Sequence, residues 1–219
     1  WHRTIQANLR HWLPEQRAIV PQTLVGHARG QRHIDHVALV VDQSGSMAAS
    51  VIYASVFAAV MASLPAVATQ LVCFDTAVVD LTEMLEDPVD VLFGIQLGGG
   101  TDIHKALTYT AEHLRNPAKT HVVLISDLYE GGNAQGMLAK AREMIAAGVN
   151  LIVLLALSDE GRPIYDPRHA QAFAAMGCPV FACTPERFPG LIATALSRGD
   201  IHAWAAREDI ALVRAEGSA

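Results

Sequence analysis

Three cysteines, Cys73, Cys178 and Cys183, are too few to staple a chain of 219 residues. Their number is odd and the last two do not form a C-x-x-C, so buried, reduced thiols are expected and no zinc or redox role. Basic charge is also scarce, with 16 Lys and Arg against 22 Asp and Glu and a net charge of −6. The basic residues are dispersed, which excludes a nucleic-acid-binding face. Only the first segment is locally basic, through Arg3, Arg10, Arg17, Arg29 and Arg32; it reads as solvated helix and linker. No apolar run is long enough to cross a bilayer, the longest being 149–157, so no membrane contact is expected. No hydrophobic signal segment follows Trp1, and a cytoplasmic setting is expected. The ten histidines show no metal-ligand spacing. His33 and His36 flank a strand start, and His104 reads as a surface side chain.

Core-forming residues are abundant: 51% of the chain is hydrophobic and the mean hydropathy is +0.25. They fall into short apolar runs alternating with amphipathic stretches. Strands are predicted at 36–42, 70–75, 77–81, 120–126, 149–157 and 179–182, and helices at 47–64, 88–93, 102–115, 134–147, 168–176 and 185–197. That alternation predicts a doubly wound, Rossmann-like α/β fold: a mostly parallel central sheet with helices on both faces. The runs on either side of Asp75-Thr76 are separated by too little chain for a crossover, so one short antiparallel edge strand is expected there.

Three regions are anticipated: a leader over 1–34, a main domain over 35–198, and a tail over 199–219. In the leader, residues 4–12 suggest a short amphipathic helix ended by Pro14, with Trp1, Ile5, Leu9, Trp12 and Leu13 as its apolar stripe. The chain starts at Trp rather than Met, and the leader is expected to be the remnant of a larger upstream region. In the tail, one helix is expected over 201–214, docked by Trp204, Ile210 and Val213, ahead of a disordered Glu-Gly-Ser-Ala end.

The chemistry concentrates at three strand ends or loops. The run 37–41 delivers Asp42, Ser44 and Ser46 in a D-x-S-x-S pattern. In open α/β sheets ligands bind at the carboxyl ends of strands, so one carboxylate and two hydroxyls converge where a ligand would sit. Such hard oxygen donors suit a hard divalent cation, Mg²⁺ before Ca²⁺. A plain structural role competes with this: Asp42 closing a turn and a serine capping the next helix. Gly98-Gly99-Gly100-Thr101-Asp102 forms a tight glycine loop opening a helix, and the run 122–126 ends in Asp127.

Together, "DQSGSM", "GGGTDI" and "SDLYEGG" resemble the metal-ion-dependent adhesion site of the von Willebrand factor A (VWA) family, closest to its bacterial CoxE-like branch. The family pattern of D-x-S-x-S, a later Thr and a later Asp falls on Asp42, Ser44, Ser46, Thr101 and Asp127, with none missing. The resemblance covers residues 34–198. It implies a bound Mg²⁺, with Mn²⁺ or Ca²⁺ as substitutes, whose open position accepts an acidic side chain from a partner protein. It further implies that Thr101 ligates directly in a high-affinity state, and that a MoxR-type AAA+ ATPase is the partner. Asp102, Gly100 and Glu130 are expected around the metal or at the partner surface. For Asp102 a favourable interaction with the helix dipole competes; for Glu130, a hydrogen bond that holds its loop. Asp75 reads as a turn residue.

Enzymatic alternatives fit less well. The glycine loop lacks the G-K-[ST] of a P-loop, and no G-x-G-x-x-G is present. A Mg²⁺-dependent phosphatase using Asp42 would need a second Asp two positions on, where this chain has Ser44. Ser44-Gly45-Ser46 is not the G-x-S-x-G of a hydrolase. No catalytic residues are assigned.

Overall fold

The computed structural model describes residues 12–13, 18–19, 36–50, 68–84, 99–157, 163–182, 184, 187–196 and 199–213. The expected helix at 88–93, the greater part of that at 47–64, Cys183, the chain terminus, and the leader's stripe apart from Trp12 and Leu13 lie outside them. The chain divides into two compact units, Trp1–His33 and Ile34–Ala219.

In the first unit, β1 (Trp12–Leu13) pairs antiparallel with β2 (Ala18–Ile19). This corrects the expected helix at its described end. Leu13 precedes Pro14, and the proline ring pushes the residue before it out of the helical region into extended backbone.

The second unit is built on a six-stranded sheet. Its strands are β3 (His36–Asp42), β4 (Ala68–Phe74), β5 (Val78–Asp80), β6 (Thr120–Ser126), β7 (Asn150–Leu155) and β8 (Val180–Phe181). Their spatial order is β5-β4-β3-β6-β7-β8, and every pairing is parallel except β4 with β5. The sheet is thus the doubly wound, mostly parallel one expected, with its antiparallel strand at one edge. Asp75 and Thr76 make the turn into that edge: the Asp75 N–H bonds the Ala77 carbonyl at 3.0 Å.

The strands read as continuous apolar runs because both faces are covered. Val37, Leu39 and Val41 face one core layer, with α4 (Phe188–Leu196) and α5 (Ile201–Arg207) packed over it. Ala38 and Val40 face the other, beneath α1 (Ile103–His113), α2 (Ala134–Ala146) and α3 (Pro167–Ala175). In α1 the buried residues Ile103, Ala106, Leu107 and Thr110 fall at the spacing of a single helical stripe. Side-chain caps start four of these helices: Asp102 for α1, Asn133 for α2, Asp166 for α3 and Asp200 for α5. Cys73 and Cys178 are buried free thiols, pushed up to about 12 by burial.

The tail helix is shorter than expected. It ends at Arg207, and Asp209 takes the left-handed conformation at φ 56°. The chain then joins the sheet edge: Leu212 bridges Phe181 antiparallel, and the Val213 N–H bonds the Val180 carbonyl at 2.9 Å. The open edge of β8 offers backbone partners that a continuing helix would leave unused. Trp204 is buried against Phe181, and Ile210 packs on the same layer.

Candidate metal centre

The chain runs from β3 to β4 on one side, then crosses to β6 on the other side of β3. The crevice at the carboxyl ends of β3 and β6 is therefore the topological switch point of the sheet, where such folds bind ligands. Asp42 ends β3, and Asp127 directly follows β6.

Both carboxylates are buried, Asp42 at 0% exposure and Asp127 at 1%. Asp42 Oδ1 accepts the Ser44 N–H at 2.9 Å, and its Oδ2 accepts the Ser126 hydroxyl at 2.6 Å. Burial, with a smaller contribution from the neighbouring Asp127 charge, raises the Asp42 carboxyl from 3.8 to about 6, against the opposing pull of the Ser126 and Ser44 hydrogen bonds. Asp127 Oδ1 accepts the Tyr129 N–H at 3.1 Å, while its Oδ2 is buried with no hydrogen-bond partner. Two buried carboxylates within electrostatic reach, one with an orphaned oxygen, form a site whose charge calls for a cation.

The hydroxyls add to this. Ser44 stands just before a 3-10 turn over Gly45–Ser50 and Ser46 lies within it, and their hydroxyls hydrogen-bond with the Oγ atoms 3.1 Å apart. Adjacent ligands of an octahedral Mg²⁺, with bonds of about 2.1 Å, stand about 3 Å from each other, so this pair fits one edge of such a shell. Ser44 is buried and Ser46 is exposed. The glycine loop is tied to this turn through the Gly45 N–H, which donates to the Gly99 carbonyl at 3.1 Å. Thr101, 8% exposed, follows Gly99 two residues later in this loop. Among the described residues no group of three or more His, Cys, Asp or Glu could hold a metal ion. The two buried carboxylates and the neighbouring Ser44 and Ser46 hydroxyls are instead hard oxygen donors of the kind that fits a divalent ion.

The other residues singled out in the sequence lie at the rim. The Asp102 carboxylate accepts the Lys105 N–H at 2.8 Å and is spent on capping α1. Glu130 reaches across to the start of the same helix: its Oε2 accepts the Ile103 N–H at 2.6 Å and its Oε1 the Gly132 N–H at 2.9 Å. It holds its loop against α1, and the Gly131 N–H bonds the Thr101 carbonyl at 2.9 Å beside it. Gly100 is exposed, and a Cβ there would make only ordinary contact with Thr76.

Two contributors were not legible as such. Ser126 supports Asp42 from the neighbouring strand and also accepts the Leu128 N–H at 2.9 Å. Its signal is a hydroxyl closing an otherwise apolar strand. Asp166 caps α3 and donates its N–H to the Asp127 carbonyl at 2.8 Å, fixing the loop after β6 from a third direction. Leu128, buried in that loop, is held at φ 61°, and its carbonyl meets the His169 ring Nδ1 at 2.8 Å. A buried leucine in the left-handed region costs about 1 kcal/mol or more and persists only where its surroundings impose it.

Comparison with known proteins agrees with this architecture. The family described as "VWA domain containing CoxE-like protein" matches residues 1–191. The uncharacterised protein YehP of Escherichia coli is 40% identical over 184 residues, which make up 83% of this chain and 49% of that protein. The chain thus spans about half the length of this curated relative. Among solved structures, an aerotolerance-related membrane protein from Bacteroides fragilis superposes with a TM-score of 0.57 at 17% identity, covering 77% of this chain and 99% of that one. The manganese-loaded TRAP protein of Plasmodium vivax gives 0.52 at 17% identity, covering 66% and 63%. At these identities the structural likeness is one of fold. The family match, which takes in β3, the glycine loop and β6 in one stretch, shows that this chain belongs to the CoxE-like family of VWA domains.

Proposed function

We propose that this VWA domain binds a partner protein through a divalent metal ion held by Asp42, Ser44, Ser46, Thr101 and Asp127. The observation that carries the proposal is the orphaned, buried Asp127 Oδ2 beside a second buried carboxylate and a pair of hydroxyls at ligand spacing. When bound, the ion supplies a positive charge at the mouth of the crevice, able to take a carboxylate from the partner. Ser44, Ser46 and Thr101 orient it with neutral oxygens, and Asp42 and Asp127 balance its charge from below. Mg²⁺ is the ion proposed, with Mn²⁺ as a substitute; the manganese-loaded TRAP structure is a precedent in this fold.

The rim supports a protein ligand. Tyr129 and Ile164, the large hydrophobic side chains with the greatest exposure among the described residues, at 46% and 52%, lie on the two loops that flank Asp127. These loops are joined by the Tyr129 hydroxyl, which donates to the Tyr165 carbonyl at 3.2 Å. A phosphatase using Asp42 as nucleophile fits poorly, because both of its oxygens are engaged and none of its surface is exposed.

The partner proposed is a MoxR-type AAA+ ATPase, with this domain as its adaptor or co-chaperone in the cytoplasm. The CoxE-like family match and the buried free thiols support that reading, and no helix among the described residues is long and apolar enough to cross a membrane. The test is retention of cell proteins on the immobilised chain in Mg²⁺, followed by EDTA elution and mass spectrometry. An AAA+ ATPase released by EDTA, and absent with Thr101→Ala, is expected. Retention indifferent to both treatments contradicts the reading.

A further inference from the structure

Asp75 stands just past β4, 6% exposed, and its carboxylate is spent on backbone amides of two segments. Oδ1 accepts the Ala77 N–H at 2.6 Å, which shapes its own turn. Oδ2 crosses to the glycine loop and accepts the Gly99 N–H at 3.1 Å. The Asp75 carbonyl, in turn, accepts the Asp102 N–H at 2.8 Å. One residue therefore grips the loop on both sides of Thr101, at 99 through its side chain and at 102 through its backbone. The approach is close enough to dictate the residue facing it: a Cβ on Gly99 would stand 2.6 Å from Asp75 Oδ2. A loop with three consecutive glycines has more backbone freedom than any other, and a hydroxyl carried on it is placed only if that freedom is removed.

We propose that Asp75 is the positioning residue for Thr101, closing on Gly99 so that the Thr101 hydroxyl is presented to the metal. The inference rests on the metal site proposed above and names what sets the place of its loop-borne ligand. Asp75 would not touch the ion; it acts through the loop. A latch of this kind makes metal affinity depend on a carboxylate whose removal leaves all five proposed ligands in the chain.

The experiment measures Mn²⁺ affinity by counting free ion with electron paramagnetic resonance, alongside the melting temperature of the metal-free protein. In Asp75→Asn the single remaining oxygen keeps the Ala77 N–H, and an amide NH₂ faces the Gly99 N–H, so the latch opens while the turn survives. Gly99→Ala opens it from the other side. Each variant is expected to lose about tenfold in Mn²⁺ affinity with little change in metal-free melting temperature, and the double variant to lose no more than either alone. Asp75→Asn should cost less than twofold in a Thr101→Ala background and its full tenfold in Thr101→Ser. Affinity of Asp75→Asn within twofold of the parent overturns the inference, as do losses that multiply in the double variant or a tenfold loss that persists with Thr101→Ala. A parent chain that binds no Mn²⁺ overturns the metal site itself, a result distinct from a latch that has no effect.

Discussion

Ser126 donates its hydroxyl to Asp42 Oδ2 at 2.6 Å, joining two neighbouring strand ends that lie 84 residues apart in the chain. The bond favours the charged carboxylate where burial opposes it. Ser126→Ala removes it and also strips the Leu128 N–H of its acceptor. We expect a loss of about 1–3 kcal/mol in unfolding free energy at pH 7, measured by urea denaturation without metal, and an Asp42 titration moved above 6.

The raised Asp42 carboxyl makes the metal-free fold sensitive to pH in a definite direction. Its folded-state value of about 6 lies above the unfolded 3.8, so the folded state holds the proton more tightly. This contribution to stability is complete below about pH 4 and is lost as pH rises through about 6. Each pH unit separating the two values is worth about 1.4 kcal/mol, so the contribution amounts to about 3 kcal/mol. Unfolding free energies of the parent and of Asp42→Asn, compared across about pH 4–7 in EDTA, should diverge by that order, the parent falling relative to the variant. Parallel profiles would contradict the assignment. Protons and metal compete for the same carboxylate, so Mg²⁺ affinity should climb up to about pH 6 and then level off.

Thr101→Ala should leave the fold intact, because it trims one small side chain next to two exposed glycines. The partner contact it supports is charge-assisted, so its loss should weaken partner binding by about 1.5–3 kcal/mol, roughly tenfold to a hundredfold. EDTA should cost at least as much, and the two losses should not add, since both remove one bridge. Titration of the isolated partner against both forms, with and without EDTA, checks this.

The parts of the fold legible in the sequence are those that local pattern determines. The apolar runs at 37–41 and 122–125 mark strands buried on both faces, and the brief interval around Asp75-Thr76 permits only an antiparallel edge. Asp102 was legible as a helix-opening charge because a cap acts within one turn. What was missed acts at a distance. Asp75 does make the expected turn, but its second oxygen serves Gly99, 24 positions on. Ser126 looks like the last residue of a strand until β3 is placed beside it. Trp12 and the end of the tail helix depart from expectation for a different reason: backbone pairing takes over there, in β1 with β2 and in Leu212 with Phe181. Neither pairing leaves a periodic trace in so short a segment.

Every functional proposal depends on whether the crevice takes up a metal ion, and calorimetric titration with millimolar Mg²⁺ at about pH 7 answers that question. Asp127→Asn is the decisive variant, because its amide oxygen keeps the Tyr129 N–H while the charge on the orphaned side is removed. One Mg²⁺ site per chain is expected in the parent, and none detectable in Asp127→Asn or Asp42→Asn. A parent that takes up no Mg²⁺, or variants that bind it as the parent does, would contradict a metal centre built on these two carboxylates.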